Sequence, residues 1–285
     1  MSRVAYVNGR YLPLASAGVS ILDRAFVFGD GVYEVCLVRG GALIDEARHL
    51  ERLKTSLAAL RIAAPIGHAA LQMVLREVVK RNRVRDGLVY LQISRGVARR
   101  DHGFPPPATA PGLVVTAKSL DPRLGEENAA RGVAVITLPE ERWAHPHIKS
   151  LQLLPNVLGK QAARDAGAYE AWFVDRDGFI TEGASTNAWI VAADGVLTTR
   201  QADQAILRGV TRSTLLDVAA AEGIRFVERP FRPEEAYRAR EAFLSSATTM
   251  AMPVVAIDAR PIGDGRPGPL TVALRRKFPA VAART

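Results

Sequence analysis

Leu120-Asp121-Pro122-Arg123-Leu124-Gly125-Glu126-Glu127-Asn128-Ala129-Ala130-Arg131-Gly132 is the stretch at which the chain divides. Its Asp-Pro step, its run of charges and Gly125 interrupt the apolar patterning on both sides, so it reads as a linker between two domains. On the N-terminal side, residues 4–7 and 10–12 alternate about Asn8-Gly9, the strongest short hairpin signal. A second strand pair, 32–38 and 42–44, turns through Gly40-Gly41. Residues 46–60 and 68–81 carry apolar positions at helical spacing, for example Leu50, Leu53, Leu57 and Leu60. Strands 88–93 and 113–117 flank a proline-rich loop. On the C-terminal side the spacing predicts strand 133–138 and a helix over 156–166 that stops at Gly167. Strands 171–174 and 179–181 turn at Asp177-Gly178, and 188–191 and 196–198 at Asp194-Gly195. A helix over 211–222 and strands near 224–227, 242–245 and 254–257 complete the pattern. Short strands interleaved with a few helices indicate an α/β (α+β-like) chain of two domains. The first spans residues 1–119, the linker 120–132 and the second 133–285.

Composition narrows the function classes. The 285 residues are 48% hydrophobic and 24% charged, enough to bury a real core. Met1 to Leu12 alternates like a strand rather than a charged-then-apolar leader, and no apolar run approaches the roughly 18–20 residues that span a bilayer. The single cysteine, Cys36, excludes an internal disulfide and fits a reducing compartment, with cytoplasm as the default. The net charge of +9 invites a nucleic-acid reading. However, the arginines are scattered, and the densest basic stretches, residues 80–85 and 275–277, read as exposed helix ends without interleaved aromatics. The excess therefore reads as solvated surface, and a basic nucleic-acid-binding protein is the remote alternative. No metal site is expected.

Only six of the 38 basic residues are lysine, so one set in apolar context stands out. Lys149, in His147-Ile148-Lys149-Ser150-Leu151-Gln152-Leu153-Leu154, is such a residue. Shielding disfavours the charged amine, and a neutral amine is what imine formation with an aldehyde cofactor requires. On local context it equally fits a lysine snorkelling at a helix edge. Glu182, among the small polar residues of Thr181-Glu182-Gly183-Ala184-Ser185-Thr186-Asn187, could meet a protonated pyridine nitrogen or could be an ordinary turn glutamate. Leu207-Arg208-Gly209-Val210-Thr211-Arg212 leads into a helix, with Thr211 at the expected N-cap. The free N–H groups there suit a phosphate, as they also suit a plain turn and cap. The hydroxyl cluster 245–249, with Thr248, adds donors. Arg52, between apolar helix positions, could bind phosphate in a bidentate manner or lie on the surface. Arg100 and His102, two apart in a loop, could converge on one carboxylate or be an exposed basic loop.

In this order the segments resemble the fold-type IV (class IV) pyridoxal-phosphate-dependent aminotransferases, most closely the D-amino-acid aminotransferases. The resemblance rests on Asp23-Arg24-Ala25-Phe26-Val27-Phe28-Gly29-Asp30-Gly31-Val32-Tyr33-Glu34, His49-Leu50-Glu51-Arg52-Leu53, Ile148-Lys149-Ser150-Leu151, Thr181-Glu182-Gly183 and Leu207-Arg208-Gly209-Val210-Thr211-Arg212. It implies a smaller N-terminal α/β domain and a larger C-terminal pseudo-barrel domain. It further implies pyridoxal 5'-phosphate on Lys149 as a Schiff base and Glu182 facing the pyridine nitrogen. Arg52, Val210, Thr211 and Thr248 would then bind the phosphate, with Leu207 under the ring. Tyr33, Arg100 and His102 would hold the substrate carboxylate. The implied reaction moves an amino group from a D-amino acid to a 2-keto acid in a homodimer. A branched-chain or other L-selective class IV aminotransferase, or an aminodeoxychorismate lyase-like enzyme, is the alternative within the fold.

Overall fold

The hairpin signal at Asn8-Gly9 is realised in the computed structural model, which describes residues 3–285. Met1 and Ser2, the start of the alternating segment, lie outside the described residues. Both turn residues have positive φ, 44° and 91°, the conformation that joins twisted strands β1 (Val4–Val7) and β2 (Arg10–Pro13). The chain folds into two compact units. The first comprises Met1–Pro122, Ile148–Gln152 and Ala283–Thr285. After β2 comes α1 (Arg24–Phe28), capped by the Asp23 carboxylate on Ala25 N–H at 2.8 Å and closed by left-handed Gly29. It is followed by β3 (Gly31–Arg39), β4 (Ala42–Leu43), α2 (Glu46–Ala59), α3 (His68–Arg81), β5 (Gly87–Ser94) and β6 (Gly112–Ser119). The six strands form one antiparallel sheet ordered β2-β1-β6-β5-β3-β4. Alternation along β3 and β5 sends Val32, Cys36, Val38, Val89, Leu91 and Ile93 into a core with the leucine faces of α2 and α3. Tyr33, Tyr90 and Gln92 fall on the opposite, half-buried face.

The second unit comprises Arg123–His147 and Leu153–Ala282. The segment read as a linker is in fact helical: α4 (Pro122–Arg131) has proline in its first turn and ends at Gly132, φ 75°. Ala129 packs in the core and Glu126 pairs with Arg275 at 2.9 Å, and both contacts come from residues distant in sequence. Then follow β7 (Val133–Pro139), α5 (Leu154–Asp165), β8 (Glu170–Val174), β9 (Ile180–Gly183), β10 (Asn187–Val191), β11 (Leu197–Thr199), α6 (Val210–Ala221), β12 (Phe226–Glu228), α7 (Pro233–Tyr237), β13 (Glu241–Ser246), β14 (Met250–Ile257), β15 (Arg260–Pro261) and α8 (Pro269–Val281). Nine strands form a mixed sheet, β12-β11-β10-β13-β14-β7-β8-β9, with β15 on β14. It curls until β9 lies beside β10, around a core that includes Trp172, Ile180, Ile190, Phe231 and Leu244. Arg275 and Lys277 are inside α8 rather than at a helix end. Among the described residues no helix is long and apolar enough to cross a membrane.

Candidate active site

Lys149 is not on a helix. Its segment lies along β3 as an extra edge: Tyr33 N–H donates to the Lys149 carbonyl at 3.1 Å, Leu151 N–H to the Gly31 carbonyl at 3.0 Å, and Val32 bridges Ser150. The approach needs a glycine, because a Cβ on Gly31 would sit 2.5 Å from the Ile93 carbonyl and 2.8 Å from Leu151 Cδ1. Lys149 N–H also donates to Ser56 Oγ on α2 at 3.3 Å. The lysine is thus fixed through its backbone. Its side chain is half-buried, with Nζ 4.2 Å from the centre of the Tyr33 ring, and among the described residues it has no hydrogen bond or ion pair. The amine is held in place and chemically uncommitted.

Below it on the inward face of β3 is Glu34, fully buried. Arg52 donates to it twice, Nε to Oε1 at 2.7 Å and Nη2 to Oε2 at 2.8 Å, and His49 meets Oε2 at 2.7 Å. Burial raises the Glu34 carboxyl, but the charge and bonds of Arg52, with His49, outweigh it and hold it at about 2. Burial pushes the His49 imidazole down more strongly than Glu34 draws it up, so the neutral ring donates through Nδ1–H to an ionised carboxylate. Arg52, expected on a phosphate, therefore spends two of its nitrogens on Glu34. Glu34 and His49 were not anticipated as site residues. Their signal is an acid at a core position of β3 opposite a basic pair three apart on one face of α2.

Arg100 and His102 pack on the Phe28 ring, the guanidinium carbon 5.4 Å and the imidazole 5.3 Å from its centre. Tyr33 has other partners, Tyr90 and Lys149. Among the described residues no hydrogen bond or ring contact joins Arg100 or His102 to Tyr33. A single chain gathers these three expected residues in two places.

In the second unit Glu182, at the end of β9, is buried and multiply held. Arg142 Nη1 donates to its Oε1 at 2.5 Å, Leu207 N–H to Oε1 at 3.0 Å and Asn187 Nδ2 to Oε2 at 2.9 Å. Arg142 is clamped in turn by Glu140, at 2.5 Å from Nη2. Burial pushes the Glu182 carboxyl above its ordinary range against the pull of Arg142 and Leu207. Asn187 Nδ2 also donates to the Leu207 carbonyl at 3.1 Å. A Cβ on Gly209 would lie 2.0 Å from Asn187 Oδ1, so only glycine lets α6 start against this amide. The N-cap of α6 is Gly209, not Thr211 as expected, and no side chain caps it. Val210 and Thr211 therefore present first-turn N–H groups, where the helix dipole favours an anion. Thr248 is exposed and bonded to Ser246 Oγ at 3.2 Å; no contact joins it to Thr211 among the described residues. Arg142, Glu140 and Asn187 escaped the sequence reading, because Glu140-Glu141-Arg142 has the look of any charged surface run.

Each unit by itself offers donors of a kind that pyridoxal phosphate takes: in the first, an amine without an ion partner, suited to an aldehyde; in the second, a buried carboxylate suited to a pyridine nitrogen and uncapped helix N–H groups suited to a phosphate. A family model described as amino-transferase class IV matches residues 31–257. The chain is 38% identical over 282 residues to a D-alanine aminotransferase of Bacillus licheniformis, covering 98% of each. Its fold is similar to a branched-chain amino acid aminotransferase of Escherichia coli, with TM-score 0.91, 25% identity and 99% and 95% of the two chains covered. It is equally similar to a second branched-chain amino acid aminotransferase, from T.th., solved with pyridoxamine 5'-phosphate, with TM-score 0.91, 27% identity and 98% and 93% covered.

Proposed function

This chain belongs to the class IV aminotransferases, and from that premise we propose that it moves the amino group of a D-amino acid to a 2-keto acid, with pyridoxal 5'-phosphate carried by Lys149. The observation that carries the reading is the Lys149 amine, fixed by its backbone against β3 and left without an ion partner among the described residues. Bound there, the cofactor supplies an electron sink for the charge left when the substrate loses its α-proton. The residues do the rest. Lys149 Nζ takes the α-proton and returns it, as base and then acid. Glu182 would offer its carboxylate to the ring nitrogen, and Arg142, held by Glu140, draws that carboxyl toward the ionised form against the opposing effect of burial. Val210, Thr211 and Thr248, with Arg52, would hold the phosphate, and Leu207 would support the ring. Tyr33, Arg100 and His102 fix the substrate carboxylate, which selects the α-bond presented for cleavage.

The choice of the D hand is supported by the D-alanine aminotransferase relative and by the Arg100-x-His102 pair; the branched-chain neighbours in fold make L-selectivity the second reading. Mixing the loaded enzyme separately with D-alanine, D-glutamate, L-alanine and L-leucine, while following the visible absorbance, decides between them. The two D-substrates are expected to bleach the band, and bleaching by the L-substrates alone would refute the reading. A homodimer is part of the proposal. It is supported by the exposed apolar residues Ile21 (75%) and Phe26 (73%), next to a strand bridge from Asp23 to Val97 that is itself flanked by exposed Leu22. A cytoplasmic location accords with the lone, buried Cys36.

A further inference from the structure

We propose that Asp30 is a positioning residue that fixes the Arg100–His102 loop through two arginines, a proposal resting on the reading of that loop as the carboxylate-binding element. The side chains of Arg100 and His102 make no hydrogen bond or ion pair among the described residues; they rest on Phe28 alone. Their geometry is therefore set by whatever holds the loop backbone and that ring. Between Ala98, whose N–H reaches the Leu22 carbonyl, and Phe104, one hydrogen bond among the described residues enters from outside the loop: Arg24 Nη1 to the Asp101 carbonyl at 2.6 Å. Arg24 also lies over Phe28, 4.8 Å from the ring centre, so one guanidinium holds both the loop and its platform. At the far end Phe104 is covered by Arg95, 3.8 Å from its ring centre.

Both arginines are seated by the same carboxylate. Arg24 Nε donates to Asp30 Oδ2 at 2.7 Å, and Arg95 donates from Nε to Oδ2 at 2.8 Å and from Nη2 to Oδ1 at 2.9 Å. Arg95 is further fixed by the Leu60 and Arg61 carbonyls, at 2.9 and 3.1 Å, whereas Arg24 has Asp30 as its only ion partner among the described residues. Arg24 is 4% exposed, so without Asp30 its charge would have to find water and leave the Asp101 carbonyl. Charge-assisted bonds of this length are directional, and the pair at Arg95 is bidentate; losing the carboxylate frees Arg24 from the loop and removes two of the four bonds that seat Arg95.

Asp30→Asn keeps the volume and removes the charge. With the holoenzyme, a D-amino acid donor and a 2-keto acid acceptor, Asp30→Asn is expected to raise KM for the donor about tenfold or more, the loss of about 1.4 kcal/mol of binding. The kcat should stay within about threefold and the visible band of the bound cofactor should be unchanged. Arg24→Lys should show the same split, since an ammonium cannot serve Asp30 and the Asp101 carbonyl at once; it carries the test if Asp30→Asn does not fold. Arg100→Ala should raise KM on its own, and adding Asp30→Asn to it should cost no more than about a further twofold. A normal KM in Asp30→Asn or Arg24→Lys, or penalties that multiply in the double variant, overturns the positioning role while leaving the loop's function intact. A normal KM in Arg100→Ala overturns the reading of the loop, and this proposal with it.

Discussion

Glu34 shows how much one buried carboxylate can be made to hold. Its carboxyl lies at about 2 in the folded chain against an ordinary 4.5, because Arg52 and His49 outweigh the cost of burial. A depressed acid contributes stability that is complete above its unfolded value and is lost as pH falls through its folded one. The window is therefore pH 4.5 to 2, and the contribution lost across it is roughly 3 kcal/mol. Glu34→Gln is expected to lower stability at pH 7 by about 3–5 kcal/mol, since it leaves the Arg52 charge buried without its partner, and to flatten the acid slope. Urea midpoints at pH 7 and pH 3 test this; a variant as stable as the parent at pH 7, or one that loses as much between the two as the parent does, would refute it. Arg142 has the converse task, drawing Glu182 toward the ionised form where burial favours the neutral acid. Arg142→Leu is expected to reduce kcat about 10²-fold with little change in KM, read by steady-state kinetics on the loaded enzyme. Lys149 and Glu182 were legible because each stands in a short string with a distinctive neighbourhood. Glu34 and Arg142 were not, because their meaning comes from partners 18 and 40 residues away.

At the level of elements, the start of α6 is where backbone geometry matters most. Gly209 caps the helix with no side-chain bond, and Asn187, which holds Glu182, occupies the space its Cβ would take. Gly209→Ala should displace that amide, cost about 1–3 kcal/mol in stability as an overpacking change, and weaken pyridoxal phosphate binding about tenfold or more. Titration of the apo-protein with the cofactor, followed by absorbance, checks it; unchanged affinity would show that the amide can move freely. The sequence misplaced this cap because Thr211 is the better capping residue by type, and only the contact with β10 reveals that glycine is required two residues earlier. Periodicity located α2, α3 and the β3, β5 and β6 strands almost to the residue, as expected where one face is buried and the pattern is strong. It missed α4, and met α8 only as an exposed helix end at residues 275–277. The Glu241 carboxylate accepts from Leu270 N–H at 2.9 Å and Thr271 N–H at 2.8 Å at the start of α8. A helix capped from a distant strand leaves no local signal.

Taken whole, part of the positive charge is committed within the chain. Arg275 donates to the Thr249 and Ala251 carbonyls and pairs with Glu126, Lys277 pairs with Glu222, and Arg81 pairs with Glu77, so each of the two densest basic stretches has members bound to acids or carbonyls of the chain itself. Connectivity has a sharper consequence. The chain passes between its two units four times, at residues 122/123, 147/148, 152/153 and 282/283, so neither unit is a continuous segment. Opening the first releases both the Lys149 segment and the C-terminal residues, where Leu43 and Thr285 exchange backbone bonds at 2.8 and 3.0 Å, and thereby frees ends of the second. The two are expected to unfold together. All three tryptophans, Trp143, Trp172 and Trp189, belong to the second unit, so fluorescence reports it alone while far-UV circular dichroism reports both. Glu34 lies in the first. In urea, Glu34→Gln should therefore move the fluorescence midpoint as far as the dichroism midpoint, although the substitution is in a unit without tryptophan. A dichroism transition that splits, with fluorescence left where it was in the parent, would mean that the interleaved chain does not couple the units, and that each keeps its own stability.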